Sequence, residues 1–426
     1  MRIEPAAAIV GAVAVPGVKG ICQRGVLLGA IADGESELRG FGHAADTDAA
    51  IRAVRSLGAG VEEPEPDVVQ IEGRGLRGLT ESPEPIDCGN AGTVLRLLAG
   101  ILAGQRGRFE LTGDESLSSR PVRVEEPLAQ MGARVETQDG RPPVVVEGAP
   151  LRPIRYELPA ASAQVKTSVL FAGMLAVDVP TTVVEPLPTR DHTERLLTSL
   201  GVAVRRSGDE ISVRPVDRLP PLSLEIPGDF SSAAPFVVAA TLLNGSELLV
   251  RGVNTNPTRT GLLSVLERMG ARITAFNRRQ VGGEPTADLE VRAAELVATS
   301  IGAEEVPLLV DELPLFALAA ATARGESVVT GAAELRVKET DRIETVTNAL
   351  RALGVRIAAT DDGFRVRGVP TRPRGGGVDS QGDHRIAMLG AVAGVVSREG
   401  VELQGPEAAA VSFPGFFELL DSVSQR

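Results

Sequence analysis

What most constrains the fold is a punctuation mark that recurs along the chain. Amphipathic patterns close on Leu57-Gly58, Met131-Gly132, Leu200-Gly201, Met269-Gly270 and Leu353-Gly354. These glycines stand 74, 69, 69 and 84 residues apart. Glycine just past a helix supplies the left-handed conformation that caps the last carbonyls, so each pair predicts a helix end. A short β-rich run follows each mark, such as Ala133-Arg134-Val135 or Val355-Arg356-Ile357. Each repeat also carries a more apolar stretch, at 24–32, 93–103, 162–177, 231–243, 314–323 and 383–396. Stretches apolar on nearly every side predict buried helices rather than surface ones. Most then reach a turn centred on glycine, at Gly34, Gly104, Gly245 or Gly325, and a strand. The unit is therefore strand, buried helix, strand, amphipathic helix and two strands, longer than the solenoid repeats of about 20–50 residues.

Six such units in 426 residues exceed one core, so the expected architecture is α/β in two domains of three units each. Val15-Pro16-Gly17 and Ile226-Pro227-Gly228 are matching junctions just ahead of the first and fourth buried helices. Taken as crossovers, they assign residues 18–227 to one domain, and residues 1–17 and 228–426 to the other.

A net charge of −12 argues against a nucleic-acid or anionic-membrane surface. Aromatics are 3% of the chain, with no Trp and only Tyr156, too few for base-stacking platforms. Cys22 and Cys88 make no disulfide framework, and His43, His192 and His384 stand apart, so no metal is expected. The N-terminal residues lack signal-peptide architecture, and no apolar run reaches membrane-spanning length, so a cytoplasmic protein is expected. None of this excludes a small anionic substrate, provided the cations gather in a cleft.

Glu334-Leu335-Arg336-Val337-Lys338-Glu339-Thr340-Asp341-Arg342 packs three cations and three acids between an apolar run and a helical pattern. Part of that charge fits an ordinary helix cap. Of 44 Lys+Arg residues, however, only Lys19, Lys166 and Lys338 are lysine, and each lies within a motif. The buried helices are also entered through chemically loaded residues: Pro16-Gly17-Val18-Lys19-Gly20, Gly89-Asn90-Ala91-Gly92-Thr93, Ser162-Ala163-Gln164, Gly228-Asp229-Phe230-Ser231, Asp311-Glu312-Leu313-Pro314 and Gly382-Asp383-His384-Arg385. A helix N-terminus with free N–H groups favours anions. Six of them, several beside a cation, predict a site for a multiply anionic ligand. Ser119-Arg120-Pro121 and Thr189-Arg190-Asp191 add loop cations.

Taken in order over essentially the whole chain, these motifs resemble those of the 5-enolpyruvylshikimate-3-phosphate synthase family. Asp311-Glu312-Leu313-Pro314 and Ser412-Phe413-Pro414-Gly415-Phe416 resemble its class II bacterial form. The resemblance implies a two-domain inverse α/β barrel of six βαβαββ units. It also implies transfer of the enolpyruvyl group of phosphoenolpyruvate to the 5-hydroxyl of shikimate 3-phosphate, with no cofactor or metal and a monomeric enzyme. By motif position, Lys19, Gly92, Arg120, Gln164, Arg342 and Arg385 would hold phosphoenolpyruvate. Lys19, Gly20, Arg24, Ser162, Ala163, Gln164, Thr189, Arg190, Asp311 and Lys338 would hold shikimate 3-phosphate. Asp311 would serve as base and Glu339 as acid, with Lys19 assisting. Glyphosate, a competitor of phosphoenolpyruvate in this family, is expected to inhibit, with Gly92 leaving open the space of a side chain. The first motif departs from the family: Gly20 stands for the usual Ser and Gln23 for His or Asn. The alternatives are UDP-N-acetylglucosamine enolpyruvyl transferase, whose loop cysteine is missing from residues 113–123 here, and a non-catalytic anion-binding homologue.

Overall fold

A computed structural model describes all 426 residues, Met1–Arg426. The chain divides into two compact units, Gly17–Ile226 with Val281–Glu284, and Met1–Pro16 with Pro227–Gln280 and Pro285–Arg426. The four residues Val281–Glu284 are the tip of a hairpin between strands Arg272–Val281 and Glu284–Arg292. Contacts such as His192 Nδ1 to Glu284 Oε1, 2.8 Å, group this tip with the first unit, away from the domain to which the sequence assigned it.

Each unit contains three small mixed sheets. In the sheet built from Ile86–Asp87, Arg108–Thr112, Arg141–Glu147 and Arg134–Gln138, the first two strands are parallel and the remaining pairs antiparallel. The parallel pair needs a crossover, and helix Gly92–Leu102 supplies it. The same crossover recurs with helices Ala163–Met174, Leu313–Thr322 and His384–Val396, whereas the strands after Lys19–Ala30 and Phe230–Leu242 take their parallel partners, Ser223–Glu225 and Ala8–Ala14, from far along the chain. All thirteen residues of His384–Val396 are buried. Small residues let these helices approach closely: a Cβ at Gly100 would lie 2.3 Å from the Ser168 carbonyl oxygen.

Gly58, Gly132, Gly201, Gly270 and Gly354 all have positive φ, between 80° and 108°, as helix-ending glycines require. The first buried helix starts at Lys19 rather than 24, which places Lys19 and Gly20 in its first turn. At the turn expected on Gly104, the residue with positive φ is instead Gly107.

Three sheets take a strand from far along the chain. Ser223–Glu225 closes the first sheet beside Glu35–Arg39. Arg2–Ile3 pairs with Val401–Gln404, and Ser424–Gln425 with Ala8–Ala14. No helix is long and apolar enough to cross a membrane.

Candidate active site

In the Gly17–Ile226 unit, hydrogen bonds join the starts of three buried helices. Ser162 caps Ala163–Met174 by accepting from the Val165 N–H at 3.3 Å, and Ala163 opens that helix. Gln164, in its first turn, donates to Thr93 Oγ1 at 2.9 Å and accepts from Arg96 Nη1 at 2.6 Å. Arg96 also donates to the Gly92 carbonyl at 3.0 Å. A Cβ at Gly92 would therefore meet Arg96 Nη1 at 2.7 Å and Leu117 Cδ1 at 3.3 Å, so the space expected to be open there is already filled. Arg120 donates to both the carbonyl and side-chain oxygens of Asn90, each at 2.8 Å, which brings its guanidinium to the entry of the Gly92–Leu102 helix.

The first motif turns toward the next helix, Ala45–Ser56. Lys19 Nζ pairs with Asp46 Oδ2 at 2.7 Å, and Gln23 donates to the Asp46 carbonyl at 2.9 Å. Arg24 is buried and donates to Thr193 Oγ1, Thr167 Oγ1 and the Gly20 carbonyl at 2.7, 3.0 and 2.8 Å. Burial lowers its pKa to about 10, with nearby Arg190 adding to the fall and Glu194 opposing it, so it stays cationic at neutral pH.

Thr189, expected by motif position near shikimate 3-phosphate, and Lys166, the lysine to which no ligand was assigned, both turn toward Glu185. Thr189 gives both its N–H (2.8 Å) and its hydroxyl to Glu185. Lys166 is fully buried, paired with Glu185 at 2.9 Å and Glu194 at 2.7 Å. Through Glu185, which also accepts from Thr189, this buried ion pair is joined to the loop leading to Arg190.

The second unit gathers its own charges where helices Phe230–Leu242, Leu313–Thr322 and His384–Val396 begin. Arg342, 1% exposed, donates to Asp383 Oδ2 at 2.8 Å, Glu339 Oε2 at 2.5 Å and Asp311 Oδ1 at 3.4 Å. Burial works against its charge, but Asp383 foremost, then Glu339 and Asp311, outweigh that and raise its pKa above the usual arginine value. Arg385 Nη2 lies 3.8 Å from Asp311 Oδ2, and Arg385 Nη1 donates to the Ser231 carbonyl at 3.4 Å. Asp383 caps its helix by accepting from the Arg385 N–H at 2.8 Å.

The 334–342 stretch divides its labour. Arg336 is structural, donating to Asp341 at 2.6 Å and to the carbonyls of Asp361 and Thr360. Asp341 is an ordinary N-cap that accepts from the Glu344 N–H at 3.2 Å. Lys338 keeps a quarter of its side chain exposed while pairing with Glu334 at 3.3 Å. Arg259, which belongs to none of the motifs, lies beside Asp311 at 3.3 Å and is only 5% exposed. Its one sequence signal is the turn-rich run Asn254-Thr255-Asn256-Pro257-Thr258 immediately before it.

Six small sheets around buried helices, with charged groups collected at the helix starts, have the inside-out α/β architecture of the enolpyruvyl transferases. Residues 3–420 match the family EPSP synthase (3-phosphoshikimate 1-carboxyvinyltransferase). A 3-phosphoshikimate 1-carboxyvinyltransferase of Acidithiobacillus ferrooxidans is 48% identical over 97% of this chain and 95% of its own length. One from Desulforudis audaxviator is 46% identical over 99% of each. The structure of EPSP synthase from Acinetobacter baumannii superposes with a TM-score of 0.89 at 40% identity, covering 99% of this chain and 97% of that one. The chain belongs to the EPSP synthase family.

Proposed function

We propose that, in transferring the enolpyruvyl group of phosphoenolpyruvate to the 5-hydroxyl of shikimate 3-phosphate, this chain uses Asp311 as base and Glu339 as acid. The observation that carries the assignment is that one guanidinium, Arg342, holds both carboxylates, Asp311 at 3.4 Å and Glu339 at 2.5 Å. Asp311 takes the hydroxyl proton as the oxygen bonds to C2 of the enol, and Glu339 delivers a proton to C3. Phosphate then leaves C2 and a proton leaves the new methyl group, which restores the double bond on the product. Two carboxyl groups thus take opposite roles set by their surroundings.

Cations and helix starts offset the repulsion between two phosphates and two carboxylates. Arg120, Gln164, Arg342, Arg385 and Gly92 hold phosphoenolpyruvate, and Lys19 serves both substrates. Ser162, Ala163, Gln164, Arg190 and Lys338 hold shikimate 3-phosphate, with Arg24 and Thr189 acting from beneath. An anion that reaches Arg342 competes with Glu339 for Nη2. A carboxyl that loses its cation favours the protonated form, the form a general acid needs. We read the chain as a class II-like form with an atypical first motif, working as a monomer.

A phosphate-release assay tests the reading. Release is expected only when phosphoenolpyruvate and shikimate 3-phosphate are both present. Release with UDP-N-acetylglucosamine as acceptor, or with neither acceptor, would overturn it.

Gly20 leads to a narrower prediction. A hydroxyl there would add a hydrogen bond to the acceptor's phosphate, contributing about 1.5–3 kcal/mol. Its Cβ, however, would come within 3.1 Å of Arg24 Nη1, which Arg24's other bonds anchor. Gly20→Ser is therefore expected to tighten shikimate 3-phosphate about tenfold, near the low end of that range. Calorimetric titration of both proteins checks this, and weaker binding would mean that crowding of Arg24 dominates.

A further inference from the structure

Arg259 lies underneath Asp311. It is 5% exposed against 17% for the Asp311 side chain. Its backbone is fixed by turns in which Asn254 Oδ1 accepts from the Asn256 N–H and Asn256 Oδ1 from the Thr258 N–H, each at 3.0 Å. Nη1 donates to Asp311 Oδ2 at 3.3 Å, and Nη2 donates to Ser231 Oγ, which in turn donates to the fully buried Glu312. Asp229 lies 3.5 Å from Nη2 and Glu312 3.7 Å from Nη1. With Arg342 on Oδ1, Arg259 completes a two-sided grip on the Asp311 carboxylate.

We infer that Arg259 is a positioning residue, orienting Asp311 and keeping its carboxylate ionised for proton removal. The inference rests on the assignment of Asp311 as base. The charged groups around Asp311 are Arg259 from the loop before helix Gly261–Arg268, Arg342 and Arg385 from their helices, and the adjoining Glu312. Asp229 reaches it through Arg259, and Glu339 and Asp383 through Arg342. Three cations therefore favour the ionised form and four acids oppose it. Arg259 also links Asp311 to the Ser231 hydroxyl and to Glu312, at the starts of two buried helices.

An opposite charge within about 4–6 Å lowers a carboxyl pKa by about 1–3 units. A base must be ionised to act, so losing that cation moves the acid limb of the kcat profile to higher pH. Arg259→Gln is expected to raise the limb by about one unit, since Arg342 and Arg385 remain. An unmoved limb would overturn the inference. Arg259→Lys keeps the charge but cannot bridge Asp311 and Ser231 together. Its limb is expected to stay in place while kcat falls with little change in KM. A Lys variant with wild-type kcat, or with a raised limb, would also overturn the inference, even if the Gln variant does not fold. Asp311→Asn in the same series separates the two claims. Wild-type kcat there would remove Asp311 as base and the inference with it. A large loss there, with an unmoved limb in Arg259→Gln, would overturn the role of Arg259 alone.

Discussion

Glu339→Gln is expected to bind shikimate 3-phosphate like the wild type and to turn over about 10²–10⁴-fold more slowly, the usual contribution of a general acid. The amide keeps the shape of the side chain and an oxygen that can accept from Arg342, whose Nη2 holds Glu339 at 2.5 Å. What it lacks is a transferable proton for C3 of the enol. Single-turnover kinetics at saturating substrates, with calorimetry for binding, is the measurement. Turnover within about threefold of wild type would remove Glu339 from its role, since that is far below a general-acid contribution. Combined with Asp311→Asn, the two losses should be less than multiplicative, because both groups serve one addition step and share one guanidinium.

The second large effect is on stability. Lys166→Met should destabilise the Gly17–Ile226 unit by about 3–5 kcal/mol, because removing one partner of a buried ion pair leaves charge uncompensated. Glu185 is fully buried and Glu194 is 12% exposed, so two carboxylates lose their cation. Arg206, 3.2 Å from the other Glu185 oxygen, compensates only in part. The chain carries its own reporter: with no Trp and a single tyrosine, ultraviolet tyrosine emission comes from Tyr156 alone. Tyr156 is buried on strand Arg155–Glu157, beside Thr181–Val184, the strand immediately before Glu185. Urea unfolding followed by that emission reads this unit without the other. A loss below about 1 kcal/mol, the range of an exposed pair, would show that the buried network is energetically slack.

The repeat was readable because each amphipathic helix ends on a glycine whose left-handed φ leaves a mark in sequence. The buried helices were readable because they are apolar on every side. Strand partnership was not, since Ser223–Glu225, Arg2–Ile3 and Ser424–Gln425 pair with strands far away in the chain, and local patterning carries no register. The site divides in the same way. Motifs at helix starts single out Gln164, Arg342 and Arg385 as candidates, but residue type does not say which way a side chain turns. Thr189 and Lys166 face Glu185, and Arg24 threads between Thr167 and Thr193. Arg259 stayed hidden because one arginine among many after a turn is ordinary until its carboxylate neighbours are seen.

The remote strands also set a timetable for synthesis. Domains generally fold as units, the N-terminal ones first, as the chain emerges from the ribosome. The three sheets of the Gly17–Ile226 unit are complete in sequence once Ser223–Glu225 has appeared beside Glu35–Arg39. The other unit has its first strands, Arg2–Ile3 and Ala8–Ala14, translated before any of this, yet their last partners are Val401–Gln404 and Ser424–Gln425. Ala8–Ala14 has one edge open until Glu247–Asn254 is made and the other until Ser424–Gln425, and Arg2–Ile3 stays unpaired until Val401–Gln404. The strands most exposed to misassembly during synthesis are thus Arg2–Ile3 and Ala8–Ala14, and the unit finished first is the one inserted between the segments of the other.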